Sequence, residues 1–577
     1  MRCQSRGGGL AAGCPTLMLV ALLLLPPLAA CAPDDNADAE PAAPWFVDEA
    51  TERGLDFTHR SGYVPGALPL LPEIVGGGAA LMDVDGDGDL DAYLVQAGWR
   101  LDGSDADAPG DTLFVNRGDG HFEPRPQAER GYGMGVAAGD YDGDGDVDLY
   151  VTNVGANALL SNDGSGHFDD VAGAAGVDDP GWGTAAAFLD LDADGDLDLF
   201  LVNYIDWSLA IEKDCHSRGK PTYCAPTTYA APAMDRLFRN DGDGTFTDVS
   251  VSAGLAQGRG NGLGLGAADF NDDGLVDLFV ANDKTVNRLW LNLGGLRFEE
   301  AAAMWGCAVD DHGGAKAGMG VAVADMDDDG DADVLVVNLE GETDSYHRND
   351  GGYFTDRAAQ AGLTVHGRRH TRFGAIAQDF DNDGWFDIYQ ANGKVDGDPN
   401  AATDPFAEPN LLYRGRARDA GIRFSPAQPR AGTTAPLVHT SRAAAMGDVD
   451  NDGRLDVLVV NRDGPAYLLM NRTEAGNWAR FRLLDQQGAD VPGAVLLATV
   501  GSRRVRRDAT PSSSYLASHD PRVHVGLGEF AFARNVAVRW PGGRVERFGD
   551  FPAGASAILA RGRGAADNAT EGVENSP

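Results

Sequence analysis

Along most of this chain, a short polar run with aspartate at every second position leads straight into an apolar, strand-favouring run. Asp83–Val95, DVDGDGDLDAYLV, is the first instance. The pattern returns from Asp140 (DYDGDGDVDLYVTN), Asp190 (DLDADGDLDLFLVN), Asp269 (DFNDDGLVDLFVAND), Asp325 (DMDDDGDADVLVVN), Asp379 (DFDNDGWFDIYQAN) and Asp448 (DVDNDGRLDVLVVN). Their common frame is D-x-[DN]-x-D-G-x-x-D, entered from a small or apolar run and left through β-rich residues. Successive starts lie 57, 50, 79, 56, 54 and 69 residues apart, so a unit of 50 to 57 residues recurs with two long insertions. Regular β-rich units of that length predict a propeller or an array.

A second pattern fills the rest of most units: LFVNRGDGHFEP, LLSNDGSGHFDDVA, LFRNDGDGTFTDVS, LWLNLGGLRFEE and YHRNDGGYFTD. Each reads as strand, Gly-rich turn, strand, which is a hairpin. Every unit therefore supplies four strands, A to D, and makes one blade. Seven units predict an all-β chain with a seven-bladed β-propeller over residues 45–471. WFVDEATERGL (Trp45–Leu55) resembles the outer-strand text of the other units, while the last unit has its hairpin start at AYLLMN (Ala466–Asn471). The N-terminal strand should complete the last blade and close the ring. After Asn471 the acidic runs stop, and short strands such as NWARFRLL and NVAVRWPGGRVERF predict a small β-sandwich-like domain over 472–562, followed by a disordered tail, 563–577.

Five carboxylates this close need a counter-charge, because two of them about 4 Å apart repel by roughly 4 kcal/mol at an effective dielectric of about 20. Oxygen-only ligands point to a hard cation such as calcium. An EF-hand is excluded, since position twelve of the runs is Leu94, Val151, Leu201, Val280, Val336, Gln390 and Val459, none of them acidic. The closing acid is instead the ninth residue, with glycine at the sixth for the sharp turn.

Side-chain oxygens are therefore expected from positions one, three, five and nine, and a backbone carbonyl from position seven. The first three sets are Asp83, Asp85, Asp87, Asp89 and Asp91; Asp140, Asp142, Asp144, Asp146 and Asp148; Asp190, Asp192, Asp194, Asp196 and Asp198. Next come Asp269, Asn271, Asp273, Leu275 and Asp277, then Asp325, Asp327, Asp329, Asp331 and Asp333. The last two are Asp379, Asp381, Asp383, Trp385 and Asp387, and Asp448, Asp450, Asp452, Arg454 and Asp456. About seven calcium ions would be held, one per run.

These runs resemble the FG-GAP/VCBS repeats of integrin-α-type propellers. The whole layout, from about Trp45 to Gly562, resembles the bacterial relatives of the cartilage acidic protein family, including NYIDWS, YCAPTTY, DRLFRNDGDGTFTDV and AGMGVAVADMDDDGD. SSYLASHDPRVHVGLG and VRWPGGRVE resemble the ASPIC/UnbV domain, with Ala517 and Ser518 where relatives usually carry Ser-Gln. The resemblance implies architecture more than a reaction. Tyr515, His519 and His524 could line a small site or be satisfied structural residues.

Charge narrows the partners. With 88 acidic against 46 basic residues and a net charge of −42, a nucleic acid is excluded, and 43% hydrophobic residues argue against disorder. The N-terminus carries Arg2 and Arg6, an apolar Leu17–Leu25 and then LAAC, which resembles a bacterial lipobox. Residues 1–30 are then a signal peptide, Cys31 the lipidated residue and 31–44 a flexible tether, anchoring the protein in the bacterial cell envelope, periplasmic or surface-exposed. Ordinary cleavage nearby, leaving Cys31 a free thiol, is the alternative. An exported protein permits disulfides, and Cys215 and Cys224, nine apart in one irregular segment, are expected to pair, the alternative being two free thiols. Cys307 has no evident partner.

Strands alternate direction, so the A–B acidic runs and the C–D hairpin tips share one face of the disc. The B–C insertions Gln96–Asp111, Tyr204–Asp235 and Asn392–Pro409 lie on the other face with the D–A loops. That face collects His59, His216, His312, His366, His370 and His439, the cations Lys316, Arg368, Arg369, Arg372 and Arg442, and the aromatics Trp99, Trp207 and Tyr223. Aromatic platforms with basic donors suit an anionic, carbohydrate or protein ligand, with Trp99, Trp207, Tyr223, Lys316, Arg369 and Arg442 the candidate contacts. Convergent His312, His366, His370 and His439 could instead hold a transition metal or act as acid and base. Scattered rim residues with no common site are the plainest alternative. The leading expectation is a lipid-anchored, calcium-stabilised binding or adhesion protein. Its rivals are an enzyme, glycan-active or metal-assisted, on the same face and a structural envelope scaffold.

Overall fold

The computed structural model describes residues 43–566, apart from 99–100, 102–108, 130, 218, 399–400, 402 and 419–420. The signal segment, Cys31, most of the tether, Trp99 and the tail beyond 566 lie outside the described residues.

Seven antiparallel sheets each contain four strands that follow the A-to-D order of the units. Their first strands are Ala79–Met82, Gly133–Gly139, Gly183–Leu189, Gly262–Ala268, Val321–Ala324, Arg372–Gln378 and Ser441–Gly447. Each of these lies against the next, and the seventh returns to the first. They are the inner strands of a closed ring. Crowding at the axis explains their Gly and Ala content: a Cβ on Gly264 would meet the Met319 carbonyl oxygen at 2.0 Å. Second strands such as Asp198–Asn203 are buried along their whole length, because blade packs on blade on both sides. The ring closes as expected. Phe46–Asp48 pairs antiparallel with Tyr467–Asn471 and supplies the outer strand of the seventh blade.

The C-terminal part is a two-sheet sandwich. Asn477–Leu484 sits between Val523–Gly528 and Ala555–Ala560, facing a five-stranded sheet that includes Val495–Val500 and Phe532–Arg539. Phe481, Leu496, Val525, Val538 and Trp540 fill the space between. It is not a module apart, however. A hairpin formed by Ser512–Ser513 and Ala517–Ser518 leaves the sandwich and enters the propeller axis. Ala517 and Ser518 pair parallel with Ala79 and Ala80, and Ser514 exchanges two backbone hydrogen bonds with Val321 across the ring. The tip residue Tyr515 is fully buried and donates its hydroxyl to the Val75 carbonyl at 3.0 Å. The channel therefore has a stopper.

The sandwich also covers the acidic face. Arg480 meets Asp448 at 2.7 Å, Arg503 meets Asp328 at 2.5 Å and Arg539 meets Asp272 at 2.7 Å. Arg522 donates to the Asp448 carbonyl at 3.2 Å, and Arg506 to those of Asp269 at 3.2 Å and Gly330 at 3.1 Å. Five arginines of the sandwich are thus placed opposite the acidic loops. No helix among the described residues is long and apolar enough to cross a membrane.

Candidate functional site

The acidic runs fold as seven copies of one loop. The sixth residue has positive φ in every copy, from Gly88 at 93° to Gly453 at 88°, and so does the fourth: Gly86, Gly143, Ala193, Asp272, Asp328, Asn382 and Asn451. The αL region tolerates Gly, Asn and Asp best, which accounts for all but Ala193 at the fourth position. The sixth N–H donates to the first carboxylate (Gly88 to Asp83, 3.1 Å) and the seventh N–H to the fifth (Asp89 to Asp87, 2.9 Å). The ninth carboxylate is the buried brace. Asp91 accepts from the N–H of Val84 at 3.0 Å and of Asn116 at 2.7 Å, joining the loop to the third strand. The same two bonds hold Asp148, Asp198, Asp277, Asp333, Asp387 and Asp456.

The loop centres gather buried carboxylates. Burial, reinforced by neighbouring carboxylates, pushes Asp91 up to about 7 and Asp148, Asp198 and Asp277 up to about 8. Asp83, Asp85, Asp190, Asp192, Asp327, Asp381 and Asp450 each bury an Oδ1 with no hydrogen-bond partner. All of these are first or third positions. Carboxylate oxygens of Asp83, Asp85 and Asp91 lie within 4.8 Å of one another, as do those of Asp140, Asp142 and Asp148. Converging, orphaned, buried oxygens fit a hard divalent ion. Guanidinium groups offset part of the charge in loops five to seven: Arg348 pairs with Asp327 in loop five, Arg414 and Arg416 with Asp381 and Asp383 in loop six, and Arg454 and Arg480 with Asp452 and Asp448 in loop seven.

On the opposite face, where the inner strands begin, a cavity of about 250 Å³ opens over the stoppered channel. Leu263, Met319 and Phe373 line its depth, and Tyr223 and Cys224 come from the Tyr204–Asp235 insertion. That insertion is closed by the Cys215–Cys224 disulfide, as expected. Ser217 and Thr222 beside it donate to Asp396 of the blade-six insertion at 3.1 and 3.2 Å. Inside, the Tyr204 hydroxyl donates to Asp283 at 2.7 Å, and burial pushes the Asp283 carboxyl up to about 6. Phe373 meets the edge of Tyr515 at 4.9 Å, so the stopper supports the cavity floor.

Five stretches in two overlapping groups, 83–151 and 140–201, then 227–280, 269–336 and 325–390, match the FG-GAP-like repeat, and 485–566 matches the ASPIC and UnbV family. Cartilage acidic protein 1 of Xenopus tropicalis is 28% identical over 278 residues, covering 47% of this chain and 40% of that protein. The mouse protein is 26% identical over 281 residues, 40% of this chain and 42% of its own. The chain has the cartilage acidic protein-like architecture of FG-GAP repeats followed by an ASPIC/UnbV domain. It spans about two fifths of the length of the curated relatives it matches. Among solved structures, the BP39L lectin from Burkholderia pseudomallei overlaps with a TM-score of 0.41 at 12% identity, over 70% of this chain and 98% of that one. An Agrocybe aegerita lectin that recognises non-reducing terminal N-acetylglucosamine overlaps at 0.37 and 17%, over 69% and 88%. Overlaps that loose say nothing of what this chain binds.

Within the FG-GAP propeller, the expected ligand contacts separate. Tyr223 lines the cavity. Trp207 does not line it; the ring packs edge-on against Trp182 and donates to Glu212 at 2.9 Å. Arg442 is a correction: it is fully buried, stacked 3.9 Å over Phe373, and donates to the carbonyls of Ile74, Gly393, Ser441 and Lys394. Arg372 is likewise buried on Asp344. Lys316 donates to Thr343 and Ser345 at 3.1 and 2.9 Å, while Arg368 and Arg369 are exposed. The face is less basic than its sequence suggests.

Nor do the histidines converge. His312 is exposed beside Asp311, His366 is exposed, His370 faces Glu408 at 3.5 Å, and His439 pairs with the Tyr467 hydroxyl. His216 faces Asp214 at 3.4 Å, and His59 is buried, its ring pushed down to about 4 by desolvation. In the ASPIC/UnbV domain, the Met446 N–H donates to His519 Nδ1 at 3.2 Å, so Nε2 carries the proton and donates to Ser513 at 3.0 Å. His524 donates to Asn382 at 2.6 Å. With Tyr515 in the stopper, all three are structural.

Two sets of residues escaped the sequence reading. One is the hairpin asparagine: Asn116 donates to Leu90 of its own blade and to Val449 of the preceding one, both at 3.0 Å. Asn162, Asn240, Asn292, Asn349 and Asn471 reach the preceding loop likewise, whereas blade six has Gly415. The other is the pair Tyr204 and Asp283. Each directly follows the asparagine that ends a second strand, Asn203 or Asn282, a register that returns to the channel mouth in successive blades.

Proposed function

We propose that the protein is an exported, lipid-anchored, calcium-braced propeller that acts as an extracytoplasmic binding protein, with its ligand, a carbohydrate or a protein group, received on the face opposite the calcium loops. The preformed cavity carries this reading. It lies at the channel mouth, is roofed by a disulfide-closed insertion and presents Tyr204, Tyr223 and Asp283 among apolar side chains. Pockets that are concave, mostly apolar and marked by a few convergent polar groups are the usual form of a ligand site. The orphaned oxygens at loop positions one and three support calcium as the brace. Among the described residues the four candidate histidines do not converge: His312 faces Asp311, His370 faces Glu408, His439 pairs with Tyr467, and His366 is exposed.

The test is metal analysis of the signal-free protein dialysed against calcium, followed by titration of that sample with a glycan and envelope-protein panel. Calcium alone at about one ion per loop, with saturable binding weakened by Tyr223→Ala, is expected. A stoichiometric transition metal, or turnover of a bound glycan, would replace binding by the enzymatic alternative.

A further inference from the structure

The cavity has the polarity for one class of ligand. Its wall is largely apolar, and its charged lining groups are Asp283, Asp396 and Lys284. Lys284 is already paired with Glu342, whose other oxygen accepts the Ala317 N–H at 2.9 Å. Asp396 is engaged at the rim by Ser217 and Thr222. Asp283 is the group left over. Among the described residues its carboxylate accepts one side-chain hydrogen bond, from Tyr204, although a carboxylate offers about four acceptor sites. A carboxylate in an apolar hollow is costly unless a cation or further donors meet it.

An anionic ligand would face Asp283 and Asp396 with no unpaired cation among the described lining residues to hold it. A sugar would bring hydroxyls all round into a wall that is polar mainly at one end. We propose that this cavity takes a small organic amine, its ammonium against Asp283 and its apolar body along Leu263, Met319 and Phe373. The volume of about 250 Å³ lies just below that of ordinary drug-sized sites, about 300–1,000 Å³, so the occupant is a small free molecule rather than a peptide. The inference rests on the reading of this cavity as a binding site and replaces the carbohydrate or protein group given there with a small free amine.

The calcium-loaded, signal-free chain is titrated at pH 7.5 with 2-phenylethylamine, 2-phenylethanol, 3-phenylpropionate and methyl glucoside. The amine is expected to bind at least tenfold tighter than the alcohol, with the acid weakest. Asp283→Asn should bring amine and alcohol level. Tyr204→Phe removes the hydroxyl, keeps the carboxylate and should keep the preference for the amine. Melting curves of both variants within a few degrees of wild type establish that the fold is intact. Equal binding of amine and alcohol by wild type overturns the proposal, as does a preference that survives Asp283→Asn. If methyl glucoside binds alone, the amine is wrong and the binding reading stands. If none of the four binds and the wider panel also fails, both fall.

Discussion

The two faces of the disc are built on opposite plans. On the loop face one local solution is repeated in every blade, the same pair of left-handed residues and the same buried ninth aspartate, and five of the seven loops also bury an orphaned oxygen at position one or three. A second domain then lies over it, arginine against aspartate. The opposite face repeats little beyond the asparagine that ends most second strands. Its insertions differ in length from blade to blade, and its cavity is assembled from residues that single blades contribute once. Repetition along the chain reports how the ring is held together, and departures from it report where the ring meets something else.

Removing the proposed calcium would attack the repeated face everywhere at once and should have the largest effect. With dissociation constants of about 10⁻⁴–10⁻³ M, as in extracellular modules, each loop gains about 1.4–2.7 kcal/mol in roughly 10 mM calcium by mass action. Chelation should therefore lower the melting temperature by well over about 10 °C, with full recovery when calcium is restored. An unchanged thermal scan would refute the brace. Next comes Tyr515→Ala, which empties the stopper at the axis and should cost about 3–5 kcal/mol in denaturant unfolding, with the calcium content unaltered. A cost below 1 kcal/mol, on the scale of a surface change, would mean the hairpin is dispensable.

Arg480→Ala separates the two sources of positive charge on the loop face. Losing one partner of a buried pair costs about 3 kcal/mol or more, and we expect that cost in chelator but less than half of it in calcium, because an ion in loop seven also offsets Asp448. Equal costs in both buffers would show that ion and guanidinium do not share that carboxylate. The smallest effect on stability should come from the opposite face. Replacing Cys215 and Cys224 together by serine should move the melting temperature by about 2 °C or less, in the range of surface changes, while weakening binding at the cavity. A large loss of stability would make the insertion part of the ring's bracing after all.

Much of the ring could be read before any coordinates. The glycine at loop position six, the twelve-residue test against an EF-hand and the N-terminal strand text are local signals, and local signals survive in a sequence. The fourth loop residue carries an equally plain signal, Gly, Gly, Ala, Asp, Asp, Asn and Asn, which marks a left-handed backbone. The site was harder because burial is not written locally. Arg442 looks like any surface arginine until Phe373 and four carbonyls are brought around it. Tyr204 and Asp283 are separated by 79 residues and meet only because blades three and four are neighbours. The stopper was invisible for the same reason: SSSYLAS reads as a loop of the sandwich, and nothing near it in sequence announces the axis it enters.

The order in which the chain is made sets a limit on how it can fold. Phe46 waits for Asn471 before the ring closes, and Ala79 waits for Ala517 before its strand gains its last neighbour. Both pairings join opposite ends of the polypeptide, and such long-range closures are slow and leave strand edges bare in the meantime. Until the last fifth of the chain has emerged, the blades form an unstoppered arc rather than a ring. A nascent or truncated form would present unpaired strands at both ends until Tyr467–Asn471 of the seventh blade meets Phe46–Asp48, and the inner strand Ala79–Met82 stays bare until the C-terminal hairpin arrives.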